Sequence, residues 1–467
     1  MYKYDVIIIG GGTSGIAAAY IASKKGLKTL LVEKNIYLGG SITSGLVIPV
    51  MKTLDQNLNS EFINDFKIKL KQYNASITFE YNNNDLWINP MLCQIVLDDL
   101  LKSVNCEILY DSYLIDVKYN NQKINSVIIF SNLGFNKIDK RLSIYNDSKY
   151  NDNPIDQNNN KDKILSLCND KIYNDNIFKK EINAKYFIDA TGDGILSRLA
   201  KCELIENSEN MNQSVTLRFI LTNVNIEKFS IFLESIDKNR DISPICKDEY
   251  GDIQLSTAYT TNSKTEWALK PIFEKAIRDR VIEKEDSDYF QIFTIANSKN
   301  SVAFNAPRIK TIVTDVNSET KAIIEGRERI YRLYQFARKY LPGFEEATIS
   351  NIANSLGIRY SYGIRGKYIY KKEDMIENKR FNNEILQSDY PIDIHGNKKD
   401  SDKLQKITKA YSLCLEAIKS YNYENLYIIG RILSAEFEAQ AALRVQKSCF
   451  QMGEAAIKDI LNTEDKN

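Results

Sequence analysis

The glycine spacing near the N-terminus constrains this chain more than any other feature. In "YDVIIIGGGTSG", Gly10, Gly12 and Gly15 follow a short apolar run. The first glycine permits a tight turn, the second lets the backbone approach a pyrophosphate, and the third lets the next helix lie close to the strand. Glu33 ends a second predicted strand, where a carboxylate can accept hydrogen bonds from ribose hydroxyls. The pattern predicts a βαβ unit that binds a dinucleotide, and the alternative is a glycine turn that binds nothing.

Composition narrows the classes of partner. The chain has 467 residues, and its 62 Lys and Arg nearly balance its 61 Asp and Glu, so a polyanionic partner such as nucleic acid is not expected. Seven scattered cysteines without a CxxC pair favour reduced thiols, and one histidine gives no plausible metal site. The N-terminus lacks signal-peptide character and its glycines interrupt any membrane span, which predicts a cytoplasmic protein.

Further glycine turns follow apolar strands later in the chain. They are Gly39-Gly40, Gly192-x-Gly194 in "AKYFIDATGDG", and Gly430-Arg431 in "NLYIIGRIL". Repeated turns of this kind are typical of proteins that hold a long cofactor. The last strand precedes "AEFEAQAALRVQKSCFQMGEAAIKDIL", which predicts one long helix of small residues, and Asn120 and Asn121 predict a hairpin.

Through these turns, the sequence resembles the FAD flavoproteins related to glutathione reductase. Segments such as "VAFNAPRIKTIVTDVNSETKAIIEGRERI", "YPIDIHG" and "GRILSAEFEAQAALRVQKSCFQMGEAAI" resemble successive motifs of a broad family of FAD-dependent oxidoreductases, distantly similar to fumarate-reductase-type flavoproteins. The likeness covers most of the chain outside an Asn-rich stretch. It implies FAD as the cofactor.

The expected fold is α/β, with a discontinuous Rossmann-like FAD-binding domain and an inserted α+β substrate domain. The FAD-binding parts are expected at 1–135, 182–211 and 412–467, the low-complexity insertion at 136–181, and the substrate domain at 212–411.

The resemblance also implies which residues hold FAD. They come from the glycine turns, the acidic strand end, the hairpin and the closing segment: Gly10, Gly12, Thr13, Ser14, Gly15, Glu33, Lys34, Gly39, Gly40, Ser41, Ser44, Val117, Thr191, Gly192, Asp193, Gly430, Arg431, Ser434, Arg444 and Gly453. The chain departs from the family pattern where Ile432 and Phe437 replace a cysteine and a histidine, and where Tyr360, Ser361 and Tyr362 replace charged residues.

Candidates for the substrate site are arginines and the single histidine. Asn305 and Arg308 in "FNAPR" can bind an oxyanion, since a guanidinium fork matches such a group, and a salt bridge of Arg308 is the alternative. Arg359 matches an arginine of the family. With an ordinary pKa near 6.5, His395 could exchange a proton near neutral pH, and the alternative is a satisfied or exposed histidine.

Three further side chains carry weaker expectations. Tyr390 is a second proton-donor candidate, Arg365 is expected to be structural, and Cys449 is explained by helix packing.

The predicted function is hydride transfer between a small oxygen-bearing substrate and N5 of the flavin, with an unidentified electron donor or acceptor. Arginines would orient the substrate and His395 would move the proton. An FAD-dependent monooxygenase or hydroxylase is one alternative. A tRNA-directed or non-catalytic flavoprotein is the other.

Overall fold

The computed structural model describes residues 2–51, 53–54, 58–80, 84–132, 178–206, 211–237, 243–259, 267–396 and 402–465. The predicted insertion at 136–181 lies outside these residues except for 178–181, and Cys168 lies outside them as well.

The described strands range from two residues to eleven. In chain order they are β1 (Tyr4–Ile9), β2 (Thr29–Val32), β3 (Ser76–Phe79), β4 (Asn84–Ile88), β5 (Glu107–Leu109), β6 (Ser112–Asn120), β7 (Lys123–Ser131), β8 (Lys179–Asp189), β9 (Val215–Thr216), β10 (Phe219–Thr222), β11 (Ile245–Lys247), β12 (Ile253–Tyr259), β13 (Phe290–Ile295), β14 (Ser298–Phe304), β15 (Arg308–Ile309), β16 (Thr348–Ile352), β17 (Glu384–Ser388), β18 (Ile392–Ile394), β19 (Lys403–Gln405), β20 (Tyr411–Cys414) and β21 (Leu426–Ile428).

The described α-helices are α1 (Thr13–Lys24), α2 (Glu61–Gln72), α3 (Pro90–Ser103), α4 (Ile195–Leu199), α5 (Ile226–Ile236), α6 (Lys270–Arg278), α7 (Val316–Tyr340), α8 (Lys372–Ile376), α9 (Phe437–Leu443) and α10 (Gln446–Glu464). Short 3₁₀ turns lie at Lys284–Ser287, Leu415–Ile418 and Gly430–Ile432. Within the described ranges, none of the helices combines the length and the apolar character that spanning a bilayer requires.

The first sheet is built around buried parallel strands. Its order is β5-β2-β1-β8-β7-β6, and β21 also pairs with β8. The strands β5, β2, β1, β8 and β21 pair in parallel, whereas β7 and β6 join as an antiparallel hairpin. Apolar runs such as "VIII" in β1 and "TLLV" in β2 are buried, as strands covered on both faces require. The predicted α/β fold with a Rossmann-like core is confirmed.

A strand from the end of the chain completes this sheet. In β21, Leu426 pairs with Phe187 of β8. Helix α10 then packs against α1, and Gly453 is the point of closest approach, because a Cβ there would lie 2.3 Å from the carbonyl oxygen of Ser14. The end of the chain therefore returns to the first glycine turn.

The second sheet is antiparallel and carries its own core. Its order is β11-β12-β13-β14-β10-β16. One face of the long helix α7 contributes Ile330, Leu333 and Phe336 to this core, where they join sheet residues such as Phe290 and Phe304. The apolar spacing of α7 is that of an amphipathic helix lying on a sheet.

The predicted long C-terminal helix is wrong in one respect. The chain forms two helices, because Arg444 ends α9 and Val445 is extended, with φ −64° and ψ 148°. The second helix therefore has its own N-terminus inside the protein. The hairpin predicted at Asn120 and Asn121 is confirmed, with Asn121 at φ 43°.

Candidate active site

The first glycine turn lies between β1 and α1, and its shape requires glycine. A Cβ on Gly15 would stand 1.9 Å from the carbonyl oxygen of Gly10, so the helix can approach the strand only without a side chain. Gly12 is different, because a Cβ there would meet no atom within 4 Å. The N-terminus of α1 has no side-chain cap, so the turn presents accessible backbone where a helix dipole favours an anion.

Glu33 holds this turn from the end of β2. Its buried carboxylate accepts hydrogen bonds from the backbone N–H of Gly11 at 2.6 Å and of Asn35 at 2.8 Å. Lys34 follows it, and the charge of Lys34 contributes to lowering the pKa of Asp193. The acidic residue expected beside a ribose therefore lies against the glycine turn.

The loop from Gly39 to Gly45 lies over the start of α1. The N–H of Gly39 donates to the carbonyl of Gly11 at 2.9 Å, and the hydroxyls of Thr13 and Ser41 are 3.4 Å apart. Gln446, the first residue of α10, donates from Nε2 to the hydroxyl of Ser41 at 3.3 Å. Two turns and the N-terminus of α10 thus meet at one place.

The second and closing turns are joined by an ion pair. Arg431 donates from Nε to the carbonyl of Gly192 at 2.6 Å and pairs with the carboxylate of Asp193. Burial raises the pKa of Asp193, but the charge and hydrogen bond of Arg431, together with Ser361 and Lys34, outweigh burial and hold that pKa below its ordinary value. Thr191 caps the start of α4 by accepting from the N–H of Ile195 at 2.9 Å. Arg431 therefore contacts protein groups at this turn.

The remaining predicted cofactor residues fall in three places. Gly430 lies against α1, since a Cβ there would be 2.7 Å from the hydroxyl oxygen of Ser14, and Ser44 donates to the carbonyl of Gly40 at 2.8 Å. Val117 is buried in β6, within the hairpin, and Arg444 contributes to a different cluster.

Where the turns meet, buried polar atoms lack partners. Within the described part of the chain, Oε1 of Gln446 and Oγ of Ser448 at the start of α10 have no hydrogen-bond partner, and neither does Oγ of Ser434. Buried polar groups are normally paired, so these atoms indicate a bound polar molecule. The open backbone at Gly12 and these atoms fit a long dinucleotide such as FAD.

A second cluster gathers arginines around the single histidine. We call it the arginine–histidine cluster. Its members come from β9–β10, β13–β15, the segment before β17, β18–β19 and the end of α9: Arg218, Tyr289, Arg308, Arg359, Tyr390, Asp393, His395, Asp402 and Arg444.

Both ring nitrogens of His395 are engaged. Nη1 of Arg308 lies 3.3 Å from Nδ1, and a carboxylate oxygen of Asp393 lies 3.3 Å from Nε2. Because a guanidinium only donates, Nδ1 accepts and the neutral ring carries its proton on Nε2, toward Asp393. The same Arg308 pairs through Nη2 with Asp402 at 2.7 Å. His395 thus lies between a cation and an anion.

Burial and neighbouring charge change the acidity of the histidine. Burial and the positive charge of Arg359 together lower the pKa of His395 to about 4, although the hydrogen bond and charge of Asp393 oppose this shift. The expectation of a histidine with an ordinary pKa is therefore wrong, and the ring of the free protein is neutral at neutral pH. Hydrogen bonding to His395 and the charge of Arg444 hold the pKa of Asp393 well below its ordinary value, in spite of burial.

Arg359 is buried in this cluster, and Arg218 is partly buried. Arg359 donates to the carbonyl of Ser214 at 2.6 Å and to the hydroxyl of Thr216 at 2.9 Å. Burial lowers the pKa of Arg359 to about 9 and that of Arg218 to about 10, and the charge of Arg444 adds to both shifts. These guanidinium groups crowd one another in a poorly hydrated place.

Arg218 was not predicted from the sequence. The only signal is a charged residue inside the apolar run "SVTLRFIL", where a strand residue facing solvent is the simpler interpretation. Tyr289 was also missed, and its ring packs edge-on to His395 with centroids 5.6 Å apart.

The remaining candidates from the sequence are Asn305, Tyr390, Arg365 and Cys449. Asn305 donates to the hydroxyl of Tyr289 at 3.2 Å, and Tyr390 lies 3.4 Å from Asp393. Arg365 is outside the cluster and pairs with Glu203. Cys449 is a buried free thiol within α10.

Two departures from the family pattern pack against each other, because the rings of Tyr360 and Phe437 meet edge-on with centroids 5.0 Å apart. Ser361 donates to Asp193 at 2.8 Å, so this segment borders the second glycine turn.

Two contacts join the arginine–histidine cluster to the glycine turns. Nη1 of Arg218 lies 3.4 Å from the carbonyl oxygen of Gly45, at the end of the loop over α1. Gln440 donates from Nε2 to the carbonyls of Arg359 and Arg431, at 3.2 and 2.9 Å. The buried arginines and the predicted dinucleotide site are therefore neighbours.

These features define a nucleotide-binding flavoprotein class: a parallel sheet, four glycine turns and a charged cluster at their edge. The chain matches the model of the FAD dependent oxidoreductase family over residues 5–144 and 158–457, and it belongs to that family. FAD is accordingly its cofactor.

Curated relatives match over short stretches. The thiamine thiazole synthase of Saccharolobus solfataricus is 36% identical over 73 residues, which cover 16% of this chain and 27% of that protein. The digeranylgeranylglycerophospholipid reductase of Methanococcus vannielii is 40% identical over 64 residues, which cover 14% of this chain and 16% of that protein. The chain thus spans less than a third of the length of these relatives.

Among solved structures, the chain is similar to a geranylgeranyl bacteriochlorophyll reductase-like protein of Thermoplasma acidophilum. The TM-score is 0.46 and the identity is 12%, with 99% of this chain and 79% of that chain covered.

Proposed function

We propose that this protein is an FAD-dependent oxidoreductase whose small oxygen-bearing substrate binds at the arginine–histidine cluster. The observation that carries the proposal is the contact of Arg218 with the carbonyl of Gly45, since it sets the cluster against the loop that covers the start of α1. Bound FAD would accept or supply a hydride at N5 of its flavin.

The chain's own groups would bind and orient the substrate. Arg359 presents a buried guanidinium group and Arg218 a partly buried one, and both match oxygen atoms in direction and charge. Hydride transfer at a carbon that bears oxygen also requires a proton to move. The candidate is His395, whose ring is neutral in the free protein: it would accept the proton of the substrate oxygen when a hydride leaves for the flavin, and would return that proton in the opposite direction.

The residues proposed to hold FAD are mainly those of the four glycine turns and the start of α10. Backbone N–H groups at Gly12 and Thr13 would face the pyrophosphate, and Glu33 would face the ribose. Lys34, Ser41 and the other residues expected from the resemblance, including Val117, keep their proposed roles. The domain boundaries, the cytoplasmic location, and the absence of a nucleic-acid partner also remain predictions, as does the kinship with glutathione reductase and fumarate-reductase-type proteins.

Anaerobic flavin spectroscopy tests the activity in both directions. Oxidised protein is mixed with small metabolites that could donate a hydride, and chemically reduced protein with metabolites that could accept one. We expect loss of the flavin colour in the first case or its return in the second. The proposal fails if no compound with oxygen at the reacting carbon changes the spectrum in either direction.

A matched pair of variants tests the site. Replacing His395 by Gln should leave FAD bound and slow the substrate-dependent change, with an altered pH profile. The control is Arg365→Met, because Arg365 pairs with Glu203 away from the cluster, and this variant should react at the normal rate. An unchanged rate and pH profile in His395→Gln would remove the histidine from the mechanism.

The alternative activities have their own outcomes. A monooxygenase would consume oxygen and hydroxylate its substrate with NAD(P)H as reductant, and a tRNA-directed flavoprotein would bind RNA in a salt-sensitive way. Either result would replace the proposed reaction.

A further inference from the structure

The arginine–histidine cluster holds more positive than negative charge. Four guanidinium groups face two carboxylates, Asp393 and Asp402, in the described part of the cluster. Asp402 pairs with Arg308 at 2.7 Å, and Asp393 is engaged by His395 at 3.3 Å. The other three guanidinium groups, those of Arg218, Arg359 and Arg444, therefore share one carboxylate, that of Asp393, which His395 already engages. We call these three side chains the arginine trio.

The hydrogen bonds of the trio are made mainly to neutral groups. Arg359 donates to a carbonyl and a hydroxyl, and among the described residues Arg218 donates over a long distance to the carbonyl of Gly45. Arg444 donates from Nη2 to the carbonyl of Asp393 at 3.1 Å and lies 3.8 Å from that residue's carboxylate. Nε of Arg444 is buried and, as far as the described residues show, has no hydrogen-bond partner.

A structural arginine in the same chain looks different. Arg329 is buried under α7 and donates to the carboxylate of Asp286 at 2.9 Å, while Arg332 donates to the other oxygen of that carboxylate at 2.7 Å. Two guanidinium groups there surround one fully buried carboxylate. Where this fold buries arginines for structure, it supplies an anion in direct contact.

The acidity of two of these arginines agrees with the geometry. Burial, followed by repulsion from the charge of Arg444, lowers the pKa of both Arg218 and Arg359. Buried charges without partners are unfavourable and concentrate at functional sites, where a ligand supplies the missing charge.

We infer that the substrate is an anion, and that its carboxylate or phosphate group binds between the guanidinium groups of Arg218, Arg359 and Arg444. That this anion is the substrate rests on the proposed function, whereas the existence of the anion site does not. Planar carboxylates and phosphates both accept two parallel hydrogen bonds from a guanidinium fork. An anion at this place would satisfy Nε of Arg444 and offset the excess charge.

Thermal unfolding of the FAD-loaded protein with simple probes tests the inference. FAD loading matters, because free phosphate could otherwise occupy the helix N-terminus at the glycine turn. The probes are acetate, inorganic phosphate and acetamide, which has the shape of acetate without its charge, all at constant ionic strength. We expect a saturable rise in Tm with acetate, with phosphate or with both, and none with acetamide.

Variants of the arginine trio test whether the rise in Tm comes from an anion bound there. Arg218→Met should weaken the apparent affinity for the anion by about tenfold or more, because it removes a charged hydrogen-bond donor from a buried site. Arg444→Met should do the same, which guards against a folding defect in the first variant. Arg365→Met is the matched control and should bind the anion as the unchanged protein does.

The outcomes separate the two proposals. A response to phosphate alone assigns a phosphate-bearing substrate, and a response to acetate alone assigns a carboxylate. No rise with either anion, an equal rise with acetamide, or an equal rise in Arg218→Met would overturn the inference. If the anion binds as expected but no compound changes the flavin spectrum, the proposed function fails while the anion site stands.

Discussion

Replacement of His395 by Gln is predicted to change how the stability of the protein depends on pH. His395 is the only histidine in the sequence, so no other imidazole contributes to the result. Burial and the charge of Arg359 lower the pKa of its ring to about 4 in the folded protein, against an ordinary value of 6.5. Glutamine keeps a hydrogen-bonding side chain but does not titrate.

The sign and size follow from linkage. The unfolded chain takes up a proton on this ring at higher pH than the folded protein, so the folded state loses stability as the pH falls below 6.5, and the loss levels off below about 4. A shift of this size corresponds to about 3 kcal/mol in total, of which about 2 kcal/mol is lost by pH 5. Asp393 has a lowered pKa and stays ionised throughout this range.

Urea unfolding measures the effect at about pH 7.5 and about pH 5. The unchanged protein should lose about 2 kcal/mol more between these values than His395→Gln does. A direct check is NMR of the single imidazole, whose ring signals should not titrate near neutral pH. Equal losses in the two proteins, or a ring that titrates near pH 6.5, would refute the account of the cluster.

Two further changes test the fold around the site. Gly15→Ala should reduce FAD retention on purification and destabilise the protein by about 1–3 kcal/mol, because a Cβ would lie 1.9 Å from the carbonyl oxygen of Gly10; full flavin content would contradict this. Asp286→Ala should lower the free energy of unfolding by about 3–5 kcal/mol, since it leaves the buried Arg329 without its carboxylate. Urea unfolding measures that loss, and a loss below about 1 kcal/mol would show that water replaces the carboxylate.

The parts of the fold that the sequence predicted are those with local causes. The turn at Gly10 to Gly15 is encoded by residues that are adjacent in the chain, and so is the hairpin at Asn121. In each case the signal and the structure occupy the same short segment.

The break between α9 and α10 had no such local signal. Small and apolar residues continue through "AALRVQKSC", and neither glycine nor proline marks the end of the first helix. The break places Gln446 against Ser41, which is distant in sequence. A tertiary contact of this kind cannot be found from the spacing of apolar residues.

Only part of the candidate site was predicted, because its residues come from segments that are distant in sequence. His395, Arg308 and Arg359 were expected one at a time, and the structure brings them together. Arg218 was missed because a single charge in an apolar strand favours no particular role. The low pKa of His395 depends on arginines from distant segments, so its acidity could not be read from its own motif.

A crystal structure of the FAD-loaded protein with acetate or phosphate tests the central claim most directly. The account predicts a flavin ring beside the loop from Gly39 to Gly45, and an anion in contact with Arg218, Arg359 and Arg444 that faces the ring. A flavin ring bound away from that loop, or an arginine trio that closes on protein groups and excludes the anion, would contradict it.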